Sequence, residues 1–173
     1  MTATPHAGSR VIHADDGRAF VLRALESTDL PALHRAFQRL TPEEVEYRFF
    51  YRSRELPVSI QSLVKNLDPT RDAGFVLEAA GEIRAVADLH LDHPGATEAE
   101  FGLIVGQAVA GHGLGRILLE RLLDEARARR VALLGLVRSD NVRMLELCRR
   151  LGGSAAMDPG DPGVLRVRFA WPT

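Results

Sequence analysis

Two hydrophobic periods alternate along the chain. Leu30, Leu33, Phe37 and Leu40 recur at spacings of three and four, the stripe of one amphipathic helix. Asp29 and Pro31 suit the start of that helix, with Thr28 as its expected cap. A second helix opens at Thr41-Pro42-Glu43-Glu44. There a threonine hydroxyl accepts an orphan amide, the glutamate three residues on reaches back, and proline fills the first helical position. A third, short helix is predicted over 58–66. Beyond Asp68-Pro69 the period falls to two. Residues 74–80 and 83–91 read as strands joined by a turn at Gly81-Glu82, and 99–105 as a further strand. A long helix is predicted over 113–130. Its buried stripe is Leu114, Ile117, Leu118, Leu122 and Ala126, with Arg116, Glu120, Asp124 and Arg127 facing outward. A strand over 131–137, a helix over 141–151 stopped by Gly152-Gly153, and a strand over 164–169 complete the pattern. Residues 19–25 form the first clear strand. Residues 1–17 lack periodicity and read as a flexible tail, with a short strand at 10–13.

This order predicts a mixed α/β domain over 18–173, in which a central sheet is flanked by helices. The length of 173 residues suits one domain with a sizeable core. A formal charge of -1 gives no bulk attraction to nucleic acid or an anionic membrane. The single cysteine, Cys148, forms no internal disulfide and fits a reducing compartment. No apolar run is long enough to span a bilayer, and the first ten residues carry no apolar signal stretch. A cytoplasmic protein is expected.

The most informative local chemistry lies at Gly111-His112-Gly113-Leu114-Gly115-Arg116, between a strand and a long helix. Alternate glycines turn tightly and bare their amides, and the adjoining helix dipole favours an anion. The spacing is G-x-G-x-G late in the chain. That departs from the dinucleotide fingerprint, and the phosphate-loop lysine is absent. Asp88, His90 and Asp92 share a strand face with His93 just beyond, at a spacing that matches no established metal motif; no metal is expected.

Taken together, residues 99–105 (Ala-Glu-Phe-Gly-Leu-Ile-Val), residues 110–119, Ser139-Asp140-Asn141 and the terminal Leu151-Gly152 resemble the GNAT acyl-CoA N-acetyltransferases. The family's pyrophosphate motif, Q/R-x-x-G-x-G/A, places its last two positions on Gly113 and Gly115. Its polar first position falls on Ala110. Residues 37–50, with Thr-Pro-Glu-Glu followed by Arg48-Phe49-Phe50, are similar to a segment of the bacterial Pat-type protein-lysine acetyltransferases.

The resemblance implies a GNAT fold with a mostly antiparallel mixed sheet, and acetyl-CoA as acyl donor with no metal. It also implies transfer to an amine, foremost a protein lysine. It implies donor contacts from Leu103, Ile104, Val105, Gly111, His112, Gly113, Leu114, Gly115, Arg116 and Asn141. Glu100, on the strand before the glycine loop, is implied as the base that takes the amine's proton, and partial burial would raise its pKa. Glu98 is the second candidate, and His90 a neighbour that assists. A tyrosine that protonates the leaving thiolate in many members is replaced at the corresponding position by Cys148. Small-amine acetylation and non-catalytic acyl-CoA sensing stand as alternatives, and a homodimer is compatible with all of them.

Overall fold

The computed structural model describes residues 8–171. The eight strands form one sheet. They are β1 (Arg10–His13), β2 (Ala19–Ala24), β3 (Asp72–Ala79), β4 (Glu82–Leu91), β5 (Glu98–Val105), β6 (Ala132–Arg138), β7 (Ser154–Asp158) and β8 (Asp161–Phe169). Their spatial order is β1-β2-β3-β4-β5-β6-β8-β7. Every neighbouring pair is antiparallel except β5 with β6. Five helices flank the sheet: α1 (Leu30–Gln38), α2 (Pro42–Phe49), α3 (Val58–Lys65), α4 (Leu114–Arg129) and α5 (Val142–Arg150). Among the described residues no helix is long and apolar enough to cross a membrane.

Three boundaries differ from the periodicity. Residues 154–158 are an eighth strand that hydrophobic pattern cannot reveal, because four of its five side chains are exposed at the sheet edge. The β3–β4 hairpin turns at Ala80-Gly81 instead of Gly81-Glu82. Both turn residues have positive φ, 53° and 73°, as a two-residue primed turn requires. The first helix is entered through a 3₁₀ turn, Ser27–Asp29, closed by Asp29 instead of Thr28. The Asp29 carboxylate accepts the Glu26 amide at 2.9 Å and both arms of the buried Arg23 guanidinium at 2.8 Å. Glu78 holds the same guanidinium at 2.8 Å, and the two carboxylates push the Arg23 pKa up. The capping box of α2 forms as read: Thr41 Oγ1 accepts the Glu44 amide and Glu44 accepts the Thr41 amide at 2.7 Å. Within the span read as a tail, Arg10–His13 pairs with β2 as β1, and residues 1–7 lie outside the described residues.

The two sheet faces carry separate cores. α4 lays Leu114, Leu118, Leu119, Leu122 and Ala126 on the larger one, against Leu77, Leu89, Phe101, Leu133 and Phe169. α1, α2 and α3 cover the smaller one, built on Leu25, Leu33, Phe37, Val45, Leu56, Val64, Val76 and Ile83.

Candidate active site

β5 lies between an antiparallel partner and a parallel one, and only the first stays with it to the end. On the β4 side pairing runs without a break from Leu91↔Ala99 to Ala85↔Val105. On the β6 side it covers Glu98↔Ala132, Ala99↔Leu133 and Glu100↔Leu134, then stops. From residue 101 the two parallel strands diverge, and the β5 backbone edge over 101–105 is free to pair with an extended ligand. Phe101 lies across the divergence on the large-core side, its ring over Gly135, which leaves no room there for a β-carbon. Its edge meets the Phe169 ring at 6.1 Å between centroids. On the opposite side the Arg48 guanidinium lies on Gly102 and donates to Asp88 Oδ1 at 3.0 Å. Asp88 is the cross-strand partner of Gly102. A side chain at 102 would displace the arginine, so this glycine is fixed by close approach from α2.

The glycine loop closes the far end of β5. Gly111 and Gly113 hold positive φ of 81° and 83°, and Gly113 is the residue from which α4 starts. The loop is braced by the turn between β1 and β2. The Asp15 amide donates to the His112 carbonyl at 2.9 Å, and the Asp15 carboxylate abuts Gly113. Asp16 reaches within 3.6 Å of His112 Nε2. Gly115 faces Leu147, Val105 and Leu103 at ordinary contact distances. Leu114 is buried in the large core, so what it offers a ligand is its backbone. Arg116 points along α4 and pairs with Glu120 at 3.2 Å. Asn141 caps α5, its side-chain oxygen accepting the Met144 amide at 3.3 Å. Arg143, one turn into α5, was not singled out by the sequence pattern. Its guanidinium stands 4.0 Å from where a Gly111 β-carbon would lie. It is exposed, and among the described residues it has no ion-pair partner.

Glu100 occupies the last paired rung before β5 and β6 part. It is exposed, against the partial burial expected. Among the described residues its carboxylate makes no hydrogen bond or ion pair, whereas Glu98 is bound to Arg168 at 2.8 Å. His90 faces Glu100 across β4 and β5, and Asp72 faces His90 across β3 and β4. The His90 Nδ1 is held by the buried Asp72 carboxylate, and its Nε2 lies 3.2 Å from the Arg71 guanidinium. Both ring nitrogens are therefore engaged, whereas among the described residues the Glu100 carboxylate has no such partner. Asp88, His90 and Asp92 do not converge, and among the described residues no three metal-ligating side chains form a group that could hold a metal ion. Cys148 is 1% exposed inside the large core, and burial pushes its thiol up to about 12. A thiol so placed is a poor donor to a leaving thiolate.

A single parallel pair opening at mid-strand, with a glycine loop and helix N-terminus at its foot, defines an acyltransferase fold of one kind. The chain belongs to the acetyltransferase (GNAT) family, whose sequence profile matches residues 30–153, and members of this family use acetyl-CoA. It is 26% identical over 160 residues to an acetyltransferase of Pseudomonas aeruginosa, covering 90% of this chain and 86% of that one. Its fold is similar to the GNAT domain of S. lividans PAT, with a TM-score of 0.86 at 22% identity, over 96% of this chain and 99% of that one. A cAMP-binding acyltransferase from Mycobacterium smegmatis shares the fold at a TM-score of 0.65 and 21% identity. That match covers 95% of this chain but 48% of the Mycobacterium protein, so the present chain spans about half of its length. A putative acetyltransferase from Salmonella typhimurium, solved with its cofactor acetyl-CoA, matches at a TM-score of 0.67 and 19% identity, over 89% of this chain and 98% of that one.

Proposed function

We propose that this acetyltransferase moves an acetyl group from acetyl-CoA to the side-chain amine of a protein lysine, with Glu100 as general base. One observation carries the assignment of the base: the parallel pairing of β5 and β6 ends at Glu100, whose carboxylate has no partner among the described residues while Glu98 is tied to Arg168. The free edge over 101–105 suits an extended donor chain, with Leu103, Ile104 and Val105 contributing backbone groups. Residues 111–115, with His112 and the start of α4, suit the donor's pyrophosphate, and Arg143, beside Gly111 and without an ion-pair partner among the described residues, supplies a cation.

In the reaction Glu100 takes a proton from the acceptor's ammonium, directly or through one water, and passes it to solvent, which the exposed carboxylate meets. The neutral nitrogen then attacks the thioester carbonyl carbon. The carbon–sulfur bond breaks, the coenzyme leaves as its thiolate, and the thiolate takes a proton from solvent as the new amide nitrogen releases its second one. Thiolate is a good leaving group, so no dedicated acid is required, consistent with the buried Cys148. The protein-lysine acceptor is supported by the likeness of residues 37–50 to the Pat-type segment, and by the fold shared with the S. lividans PAT domain. That segment supplies Arg48, the residue lying over Gly102 at the opening. Action in the cytoplasm is part of the same reading and accords with one reduced, buried cysteine.

The test is acetyl-CoA consumption against a panel of lysine-containing proteins and small amines. Turnover with protein acceptors above that with polyamines and amino acids is the expected result. Turnover confined to small amines would replace the acceptor. Tight acetyl-CoA binding with no turnover on any amine would favour a sensor.

A further inference from the structure

Arg48 reaches the opening from α2 with most of its donors unused. Its Nη2 donates to Asp88 Oδ1 at 3.0 Å, and among the described residues the side chain makes no other hydrogen bond or ion pair. The side chain is 19% exposed, and a largely buried guanidinium with spare N–H groups calls for an explanation. Its placement is closely fixed. The Phe49 ring lies under the guanidinium carbon, 4.8 Å away at its centre. Nη2, Cζ and Nε all crowd the place of a Gly102 β-carbon, so the group lies flat on β5. Asp88 holds Nη2 over β4, the strand on one side of Gly102. The three nitrogens of a guanidinium spread in one plane, so Nη1 and Nε are turned to the other side, where β5 and β6 part.

We propose that Arg48 is a catalytic residue whose free N–H groups donate to the thioester carbonyl oxygen and stabilise the charge it gains when the amine attacks. The inference rests on the reading of residues 101–105 as the donor-binding edge and of Glu100 as the base. Spacing along β5 then sets where the carbonyl lies. The base reaches the amine at about 3 Å, and the amine reaches the carbonyl carbon at about 3 Å. Residues two apart on a strand are separated by roughly 6.6 Å. The carbonyl carbon therefore lies beside Gly102, one step from Glu100 on the same face, where Arg48 stands. A donor chain that comes from the glycine loop along 105 to 102 delivers its thioester there without turning. As the nitrogen–carbon bond forms, the carbonyl π pair moves onto oxygen. It returns when the carbon–sulfur bond breaks and the thiolate leaves. A guanidinium largely out of water meets that charge without reorganising, because Asp88 and Phe49 already hold it. Its planar fork keeps one nitrogen on Asp88 while another serves the oxygen, which a single ammonium does not reproduce. Asp88 is thereby a positioning residue.

The test is kcat on the best acceptor of the protein and amine panel, beside calorimetric acetyl-CoA Kd, for Arg48→Ala and Arg48→Lys. Arg48→Ala should lower kcat by about 10²–10³-fold, the loss on removing one oxyanion donor, and leave Kd within about twofold. Millimolar guanidinium ion should restore part of that rate, which it would not do for a merely structural loss, and should do nothing for Glu100→Gln. Arg48→Lys keeps a cation beside Asp88 and decides the matter should the alanine variant fail to fold. It should lose at least about tenfold in kcat with Kd unchanged. Full kcat in either variant, a weakening of Kd that matches the fall in rate, or a folded alanine variant that guanidinium leaves untouched would overturn the inference alone. Failure of the unmodified protein to bind acetyl-CoA, or to acetylate any amine, would overturn the donor and base reading, and this inference with it.

Discussion

Leu118, Leu119 and Leu122 of α4 are sealed completely against one face of the sheet, while Ile60 and Leu63 of α3 are only half-buried over the other. The α4 face is closed with aliphatic and aromatic side chains, and Phe101 bridges onto Gly135 where β5 leaves β6. The α1–α3 face admits ionised groups into its interior. Arg23 sits between Asp29 and Glu78, Arg48 sits beside Asp88, and a cleft of about 130 Å³ remains open. On the proposed function the difference matches two tasks. The α4 face sets the glycine loop at the foot of a packed helix, and the opposite face is the one from which the acceptor would reach the opening in the sheet. A closed core and an open one thus share a single sheet.

The comparison is broken most forcefully by removing buried volume from each side. Leu119→Ala leaves a hole in a core with no room to collapse and should cost about 2–5 kcal/mol. Leu63→Ala enlarges a cleft that is already open and should cost less than about 2 kcal/mol. Urea unfolding of both variants checks this, and equal losses would show that the faces are packed alike.

A smaller effect is expected at the donor end. Arg143→Ala should weaken acetyl-CoA binding by about tenfold, the worth of a charged contact to phosphate. It should also flatten the dependence of Kd on salt, because one cation fewer is screened. Unchanged affinity and an unchanged salt slope would remove Arg143 from the site.

The smallest effect concerns Cys148, inside the closed core. With the thiol pushed up to about 12, the native protein should react with iodoacetamide at pH 8 far more slowly than the unfolded chain. The folded value lies above the unfolded one, so the native state holds the proton more firmly. The stability that this contributes is complete below about pH 8.5 and is lost as pH rises toward 12. Rapid native alkylation would mean that the α4 face is more open than its packing indicates.

Much of this arrangement can be read along the chain, because it depends on near neighbours. The capping box at Thr41 and Glu44, the period-two strands on either side of Ala80-Gly81, and the stripe of α4 each involve residues a few positions apart. The glycine loop is legible for the same reason. What escapes the sequence is contact between distant segments. Nothing local places Arg48 on Gly102, Asp15 against Gly113, or Arg143 beside Gly111. The exposure of Glu100 is likewise hidden, because period-two alternation reports which face a residue shares and not what covers that face. The edge strand β7 is missed because it packs little and so shows no pattern. A resemblance to known acetyltransferases points to positions along the chain, but it does not supply these neighbours.

The central claim is that Glu100, at the rung where β5 and β6 part and without a partner among the described residues, takes the proton of the acceptor amine. Glu100→Gln keeps the shape of the side chain and removes the proton acceptor, so kcat and acetyl-CoA Kd measured side by side across pH test it most directly. The account predicts a fall in kcat of about 10²–10⁴-fold with Kd nearly unchanged, and a deficit that narrows as pH rises and more amine is already neutral. A glutamine variant with full kcat, or one that loses acetyl-CoA binding together with its rate, would contradict it.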